Sequence, residues 1–309
     1  MPRPLPLLLL SSALHASAFP SYATPVSRCA SRSIGGLRPG RNPALAARSG
    51  RLPVSHFSTL RQSEGRSRLS MRSTLSPDTK VTGGGSFGTP PTLSYFDARG
   101  AAEIIRYLFA AAGVEYIDNR YPFQMEGMFG QPGFKVTKKE FDDDKANGKF
   151  PFGKVPVFET EGVTVAQSKA IERYVARKVG MFGATELEGL QIDMVCEQLR
   201  DIKDAWTRAK GQKGSDGKSV DTFFDEELPK QMGFLEKLIK PSGFFNGDTL
   251  SLADISFYHF VTSTFTQPPY DDKMPKILDA YPKLRALKDM VANTPKIQAW
   301  EESRPKSNF

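Results

Sequence analysis

One tyrosine lies where a side chain can leave a sheet and enter a cleft. Tyr95 is at the end of the strand pattern "TLSYF" and directly precedes a predicted helix over 99–113. A phenolic hydroxyl in that position can donate a hydrogen bond to a sulfur atom and favour its thiolate, the nucleophilic form. Such a bond to a charged partner contributes about 1.5–3 kcal/mol, or roughly one to two pKa units at the sulfur. Taken alone, Tyr95 is better explained as a packed aromatic residue at a strand end.

A second candidate group is the pair Gln167-Ser168, which opens the predicted helix "QSKAIERYVARKVG" directly after a strand. The first amide groups of a helix and the positive end of its dipole form a natural anion site. The Ser168 hydroxyl adds another donor. Either side chain could instead only cap the helix, which is common for such residues.

A proline interrupts the strand pattern "VPVFE" at Pro156. Proline removes a ladder donor and is normally confined to edges and bulges. Pro156 also resembles the cis-proline that thioredoxin-like folds carry. That resemblance implies a cis Val155–Pro156 bond that leaves the backbone of Val155 outside the ladder, where it can pair with a peptide-like ligand. An ordinary trans proline on an edge strand is the alternative.

Cysteine and histidine usage excludes several kinds of site. The two cysteines are Cys29, near the N-terminus, and Cys196, inside a helical pattern that predicts a buried, apolar role. An internal disulfide and a CxxC centre are therefore excluded from the folded part. His259 is the only histidine after residue 88, which argues against a metal site. A nucleophilic thiol must come from the substrate.

The first 88 residues, the leader, carry a net charge of +10, which more than accounts for the +8 of the whole chain. This leader has 12 basic and 2 acidic residues, whereas 89–309 has 30 basic and 32 acidic ones, which argues against a nucleic-acid partner. The apolar run of the leader, residues 5–10, is too short to span a bilayer and is followed by "ASAFP", a signal-cleavage pattern. The Arg-rich, acid-poor stretch that follows resembles a transit peptide, so we expect a bipartite leader directed to a secondary plastid. An ordinary secreted protein is the alternative.

The rest of the chain divides into two halves. Residues 89–181 predict the order βαβ-α-ββα, a small α/β domain with a mixed four-stranded sheet. Residues 182–309 predict helices near 185–210, 220–240, 251–265 and 283–302 and no strand, which indicates an all-α domain.

Four motifs in this order resemble the cytosolic-type glutathione transferases, and most closely their sigma class, which includes glutathione-dependent prostaglandin D synthases. They are "LSYFDARGAAEIIRYLF", "PFGKVPVFE", "GVTVAQSKAIERYVA" and "SLADISFYH", and the resemblance covers about 92–302. It implies a thioredoxin-like domain followed by a helical domain, usually in a two-fold dimer. It also implies that Tyr95 is catalytic and that glutathione is the co-substrate, with no metal.

The resemblance assigns the remaining contacts with glutathione. Gln167 and Ser168 would hold the α-carboxylate of the γ-glutamyl group, and Val155 would pair with the cysteinyl backbone. The glycine end would meet Phe141, Lys145 and Lys154, although each lysine alone is better explained as a solvated surface residue. Asp201 would reach across the dimer interface to the γ-glutamyl amine, although an aspartate on such a helix is often only solvated.

Two features leave the function less defined. Ala101 stands where the sigma pattern "RGRAE" has a second arginine that helps to polarise the tyrosine, so thiol activation is expected to be weaker or assisted by Arg99. Trp206 and Arg208 are expected at the pocket for the second substrate. The favoured function is conjugation of glutathione to apolar electrophiles, with reduction of lipid hydroperoxides as a further activity. The alternatives are a non-catalytic carrier of hydrophobic ligands and a glutathione-dependent isomerase.

Overall fold

A computed structural model of the protein describes residues 87–127, 132–211, 220–267 and 269–307. The predicted signal and transit sequences lie outside these residues. The proposed division of the chain at residue 181 stays a prediction.

The first half is built on a four-stranded mixed sheet with the order β2-β1-β5-β6. Strand β1 runs parallel to β2 and antiparallel to β5, and β5 runs antiparallel to β6. Strands β3 and β4 form a separate antiparallel pair that was not predicted from the sequence. The strands are β1 (Thr92–Phe96), β2 (Ile117–Tyr121), β3 (Gln124–Glu126), β4 (Lys135–Thr137), β5 (Val157–Thr160) and β6 (Val163–Ala166).

Three helices complete this half: α1 (Glu103–Ala112), α2 (Lys139–Ala146) and α3 (Ser168–Lys178). A 3-10 turn, Gly100–Ala102, leads into α1. The apolar face of α1 buries Ile105, Leu108 and Phe109 completely. The helix ends at Gly113, whose φ of 70° is a left-handed conformation that glycine adopts without strain.

The second half is helical, and the two halves together confirm the predicted fold class. Its helices are α4 (Glu186–Gly211), α5 (Leu228–Leu238), α6 (Leu252–Ser263), α7 (Lys273–Leu278), α8 (Pro282–Ala292) and α9 (Pro295–Ser303). A helical turn, Val220–Thr222, and a π-helical segment, Phe223–Glu227, lead into α5. The single helix predicted over 283–302 is two helices, since Pro295 lacks the N–H that would continue α8 and is well suited to the first turn of α9.

Helix α6 is central to the molecule. Nearly all of its residues are buried, most of them apolar, and it contacts α4, α8 and, in the first half, α1. Its start is fixed by a capping box in which the Asp254 carboxylate accepts the Ser251 N–H (2.8 Å), and the same carboxylate also accepts the Phe245 N–H (2.9 Å). Because α6 touches α1, the helical half also determines the surroundings of the loop that follows β1. In the part of the chain that the structure describes, no helix combines the length and apolarity needed to cross a membrane.

Candidate active site

The sheet register brings three of the predicted site segments to one edge. Ser94 on β1 pairs with Val157 on β5, and Val157 pairs with Ala166 on β6, so these residues form one row across the sheet. Tyr95 follows this row on β1, Val155-Pro156 precedes it on β5, and Gln167-Ser168 follows it on β6. Neighbouring strands lie about 4.8 Å apart, so the three segments adjoin one another.

The Tyr95 side chain is 6% exposed and its hydroxyl lies under the loop that leads into α1. The oxygen accepts a hydrogen bond from the Ala101 N–H at 3.2 Å. Among the described residues, none accepts the proton of this hydroxyl. The proton of the hydroxyl is therefore available for a hydrogen bond to a ligand atom at the sheet edge.

Gly100 allows the loop to approach this hydroxyl closely. Its φ is +43°, and a Cβ built at this position would lie 2.5 Å from the Tyr95 Oη. Any side chain here would collide with the phenol and would also require a strained backbone. The glycine thus allows the Ala101 N–H to reach the hydroxyl.

Three influences determine the pKa of Tyr95. Burial raises the pKa, while the hydrogen bond from Ala101 and the positive charge of Arg106 lower it, and the net direction is upward. Tyr95 therefore stays protonated near neutral pH and acts as a donor. Arg106, which the sequence did not single out, is thus a cation that acts on Tyr95, and the expected help from Arg99 stays a prediction.

The Gln167-Ser168 segment forms an open helix start. Helix α3 begins at Ser168, and the Gln167 side chain is exposed and does not cap the helix. The Gln167 carbonyl accepts from the amides of Ala170 and Ile171, both at 3.0 Å, so the amides of Ser168 and Lys169 lie ahead of the first intrahelical bonds. Gln167 has a φ of 78°, which for a non-glycine residue costs on the order of 1–3 kcal/mol and is common at functional sites.

The Val155–Pro156 bond is cis, which confirms the prediction made from the sequence. Strand β5 begins two residues later, at Val157, and its register with β1 ends at Ser94. Val155 thus lies just before β5, outside the ladder that β5 forms with β1.

Two lysines and one phenylalanine were predicted at the glycine end of glutathione. The stem of Lys145, on α2, lies beside Gly153 in the loop before Val155, and Lys154 in the same loop is half-buried. Phe141 is 5% exposed and its ring packs 4.9 Å from Phe96, so it offers little surface to a ligand. The roles of these residues stay predictions.

Asp201 is exposed on α4, and none of the described residues pairs with its carboxylate. It shares with Arg208, on the same helix, a cleft of about 370 Å³ that Lys230 and Gln231 of α5 close on the other side. Trp206 was expected at a pocket, and this interpretation is wrong. Its indole is 2% exposed and is packed in an aromatic cluster made by Phe223, Phe224, Phe265 and Tyr270.

The only cysteine that the structure describes is not suited to nucleophilic chemistry. Burial raises the pKa of the Cys196 thiol to about 12, so the thiol stays protonated. Within the described ranges, no group of three or more His, Cys, Asp and Glu side chains is placed to bind a metal ion. The chemistry supported here is therefore stabilisation of a thiolate that a substrate provides.

Comparisons with known proteins determine the family. Residues 91–177 match the family described as glutathione S-transferase, N-terminal domain, and residues 200–304 match glutathione S-transferase, C-terminal domain. The chain belongs to the glutathione S-transferase family. The family assignment agrees with the resemblance found in the sequence.

Individual relatives match the chain over the same part. Hematopoietic prostaglandin D synthase of Gallus gallus is 34% identical over 215 residues, which is 70% of this chain and 96% of the relative. A glutathione S-transferase of Plasmodium falciparum is 33% identical over 228 residues, which is 70% of this chain and 97% of the relative. The structure of rat hematopoietic prostaglandin D synthase complexed with a quinoline has a TM-score of 0.56 at 29% identity, covering 72% of this chain and 100% of the other.

Proposed function

We propose that this glutathione transferase conjugates the thiolate of glutathione to apolar electrophiles. Family membership makes glutathione the co-substrate. The observation that carries the proposal is the state of the Tyr95 hydroxyl, which accepts a hydrogen bond from the Ala101 N–H and keeps its own proton available at the sheet edge. A thiol bound there loses its proton to solvent more easily, because the hydroxyl forms a stronger hydrogen bond to the charged thiolate than to the neutral thiol.

The neighbouring segments position the tripeptide. The open start of α3 at Ser168 suits the γ-glutamyl carboxylate, and the backbone of Val155 suits the cysteinyl residue, while Lys145 and Lys154 supply positive charge for the glycine carboxylate. Binding both ends of the peptide fixes the sulfur beside Tyr95. The thiolate electron pair then forms a bond to the electrophilic carbon, and the leaving group departs with the displaced electron pair.

A carrier without catalysis would not need this arrangement. The alternative predicts that glutathione binds but that its thiol keeps the pKa of free glutathione. An isomerase would use the same thiolate, so a panel of aryl halides, enals and lipid hydroperoxides distinguishes the reaction type once activation is established.

The test is Tyr95→Phe in the full chain, with a chlorodinitrobenzene-type acceptor. Loss of a hydrogen bond to a charged sulfur should lower kcat/KM about 10- to 100-fold and raise the pKa of the bound thiol by about one to two units. Tyr116→Phe is the matched control, since the Tyr116 hydroxyl is buried and has no partner among the described residues. If both variants retain the wild-type turnover and thiol pKa, the proposal is wrong.

The assembly and the location are also proposals. We propose a homodimer, as is typical of the family, in which Asp201 of one subunit contacts glutathione bound to the other. For the leader we propose plastid import, with the secretory pathway as the alternative. Fusion of residues 1–88 to a fluorescent protein in a plastid-bearing cell distinguishes the two destinations.

A further inference from the structure

Arg106 is a fully buried cation for which the proposed function names no role beyond its effect on the pKa of Tyr95. It belongs to α1, and its side chain has 0% exposure. Its Nη1 donates to the Ala98 carbonyl at 2.7 Å and its Nε to Asp118 of β2 at 3.2 Å. Its Nη2 has no partner among the described residues. A buried charge is tolerated only when its surroundings compensate it, so its neighbours are informative.

The guanidinium lies beneath the catalytic tyrosine. Its central carbon is 6.0 Å from the centre of the Tyr95 ring, and its charge lowers the pKa of Tyr95. The same group holds the carbonyl of Ala98 in the loop that supplies the Ala101 N–H. Arg106 thus acts on the hydroxyl both by its charge and by fixing the loop above it.

Glu103 connects Arg106 to the C-terminal helix. This carboxylate is 1% exposed, and its Oε2 accepts from Arg106 at 3.2 Å. Its Oε1 accepts from the Trp300 Nε1 at 3.0 Å and from the Arg304 Nη1 at 2.7 Å. Trp300 lies on α9 and Arg304 directly follows it, so the two oxygens of one carboxylate join the last helix to the cation under the active site.

We propose that Arg106 is a positioning residue for Tyr95, and that α9, by fixing Glu103, holds Arg106 where it supports thiolate formation. The inference rests on the proposed function. Without Trp300 and Arg304, Glu103 would keep Arg106 as its one strong donor and draw the guanidinium away from Ala98 and Tyr95. The neighbouring charges agree with this direction. Arg106 contacts the carboxylates of Glu103 and Asp118, and Arg304 compensates the charge of Glu103 from the end of α9.

The direct test is Arg106→Gln, which removes the charge and keeps a polar side chain. We expect the pKa of glutathione's thiol in the binary complex, followed by the ultraviolet absorbance of the thiolate, to rise by about one unit. Because this residue is buried, the variant can fail to fold. In that case a Trp300→Phe/Arg304→Met double variant tests the proposal. We expect the pKa of the bound thiol to rise by about half a unit and the KM for glutathione to stay unchanged.

Lys296→Met is the matched control, because Lys296 also lies on α9 and carries one positive charge. It donates to the Ala112 carbonyl at 3.3 Å, at the other end of α1, and should leave the thiol pKa unchanged. If the wild type lowers the thiol pKa and the folded variants keep that value, the inference is overturned and the proposed function stands. If the wild type itself leaves the pKa of free glutathione unchanged, the proposed function fails, and the inference fails with it.

Discussion

Substitution of Gly100 by alanine tests the geometry of the site without removing any functional group. The new Cβ would lie 2.5 Å from the Tyr95 Oη, 2.9 Å from Cε1 and 3.1 Å from Cζ. Carbon atoms are not found so close to a neighbour, so the phenol must move. The ring is buried against Phe96, with 5.8 Å between the two ring centres, and it cannot move without shifting the hydroxyl from its place under the loop.

The size of the effect follows from two contributions. An alanine at φ +43° costs on the order of 1 kcal/mol of stability because this conformation disfavours a Cβ. The displaced hydroxyl loses about 1.5–3 kcal/mol of stabilisation of the thiolate, which lowers kcat/KM by about 10- to 100-fold. The pKa of the bound thiol should rise by about one to two units.

The assay compares wild type, Gly100→Ala and Gly162→Ala by thermal unfolding, kcat/KM and thiolate absorbance against pH. Gly162, in the turn between β5 and β6, has a φ of +77°, and a Cβ there would have no atom within 4 Å. It carries the backbone strain without the collision. If both variants lose the same stability and both keep the wild-type kcat/KM and thiol pKa, the reasoning about Tyr95 is refuted.

Three further predictions concern stability and binding. Burial and the charge of Lys169 lower the pKa of Lys203 to about 8. The wild type should therefore gain stability as the pH rises from about 8 towards 10.5, because the unfolded chain then holds a proton that the folded chain has lost. Lys203→Met should raise the free energy of unfolding by about 1 kcal/mol near neutral pH and should have no such effect above about pH 11. Gln167→Gly should keep or raise the melting temperature, because glycine accepts a φ of 78°, while the loss of a side-chain contact raises the KM for glutathione about tenfold. Asp201→Ala should raise this KM by a similar factor, about tenfold, at unchanged kcat and melting temperature, because the exposed carboxylate has no partner within the described parts of its own chain.

Each of these predictions has a result that would contradict it. For Lys203, unfolding curves whose difference from wild type is the same at every pH would show that its ammonium carries no penalty in the folded state. For Gln167, a lower melting temperature would mean that its side chain stabilises the fold. For Asp201, an unchanged KM would remove it from the glutathione site.

The parts of the site that were predictable are those encoded in short stretches of sequence. Tyr95, Pro156 and Ser168 each lie where a strand meets a loop or a helix, and strand order alone places such residues at one edge. The positive φ of Gln167 was not predictable, because a glutamine has no preference for it and the surrounding fold must impose it. The β3-β4 pair was missed because each strand has only three residues, one strand before Gly127 and one after Gly133, and so short a strand shows too little alternation to recognise.

Arg106 was missed for a different reason. Glu103 and Arg106 are three residues apart on a helix, a spacing that most often marks an exposed ion pair. The apolar neighbours Ile105 and Leu108 gave a sign that this stretch is buried, but the partners that decide the role of the pair come from the far end of the chain. Trp206 illustrates the same limit, since an indole at a helix face can line a pocket or fill a core, and only the packing of Phe223 and Phe265 distinguishes the two.

The hydrogen bonds from Trp300 and Arg304 to Glu103 also affect the order in which parts of the active site form during synthesis. These residues are 197 and 201 positions later in the chain than the carboxylate they contact. During translation the N-terminal domain generally folds before later segments emerge from the ribosome. A nascent chain can therefore form the sheet and present Tyr95 while Glu103 still lacks its outer partners, and full thiol activation waits until the last helix has been released and docked.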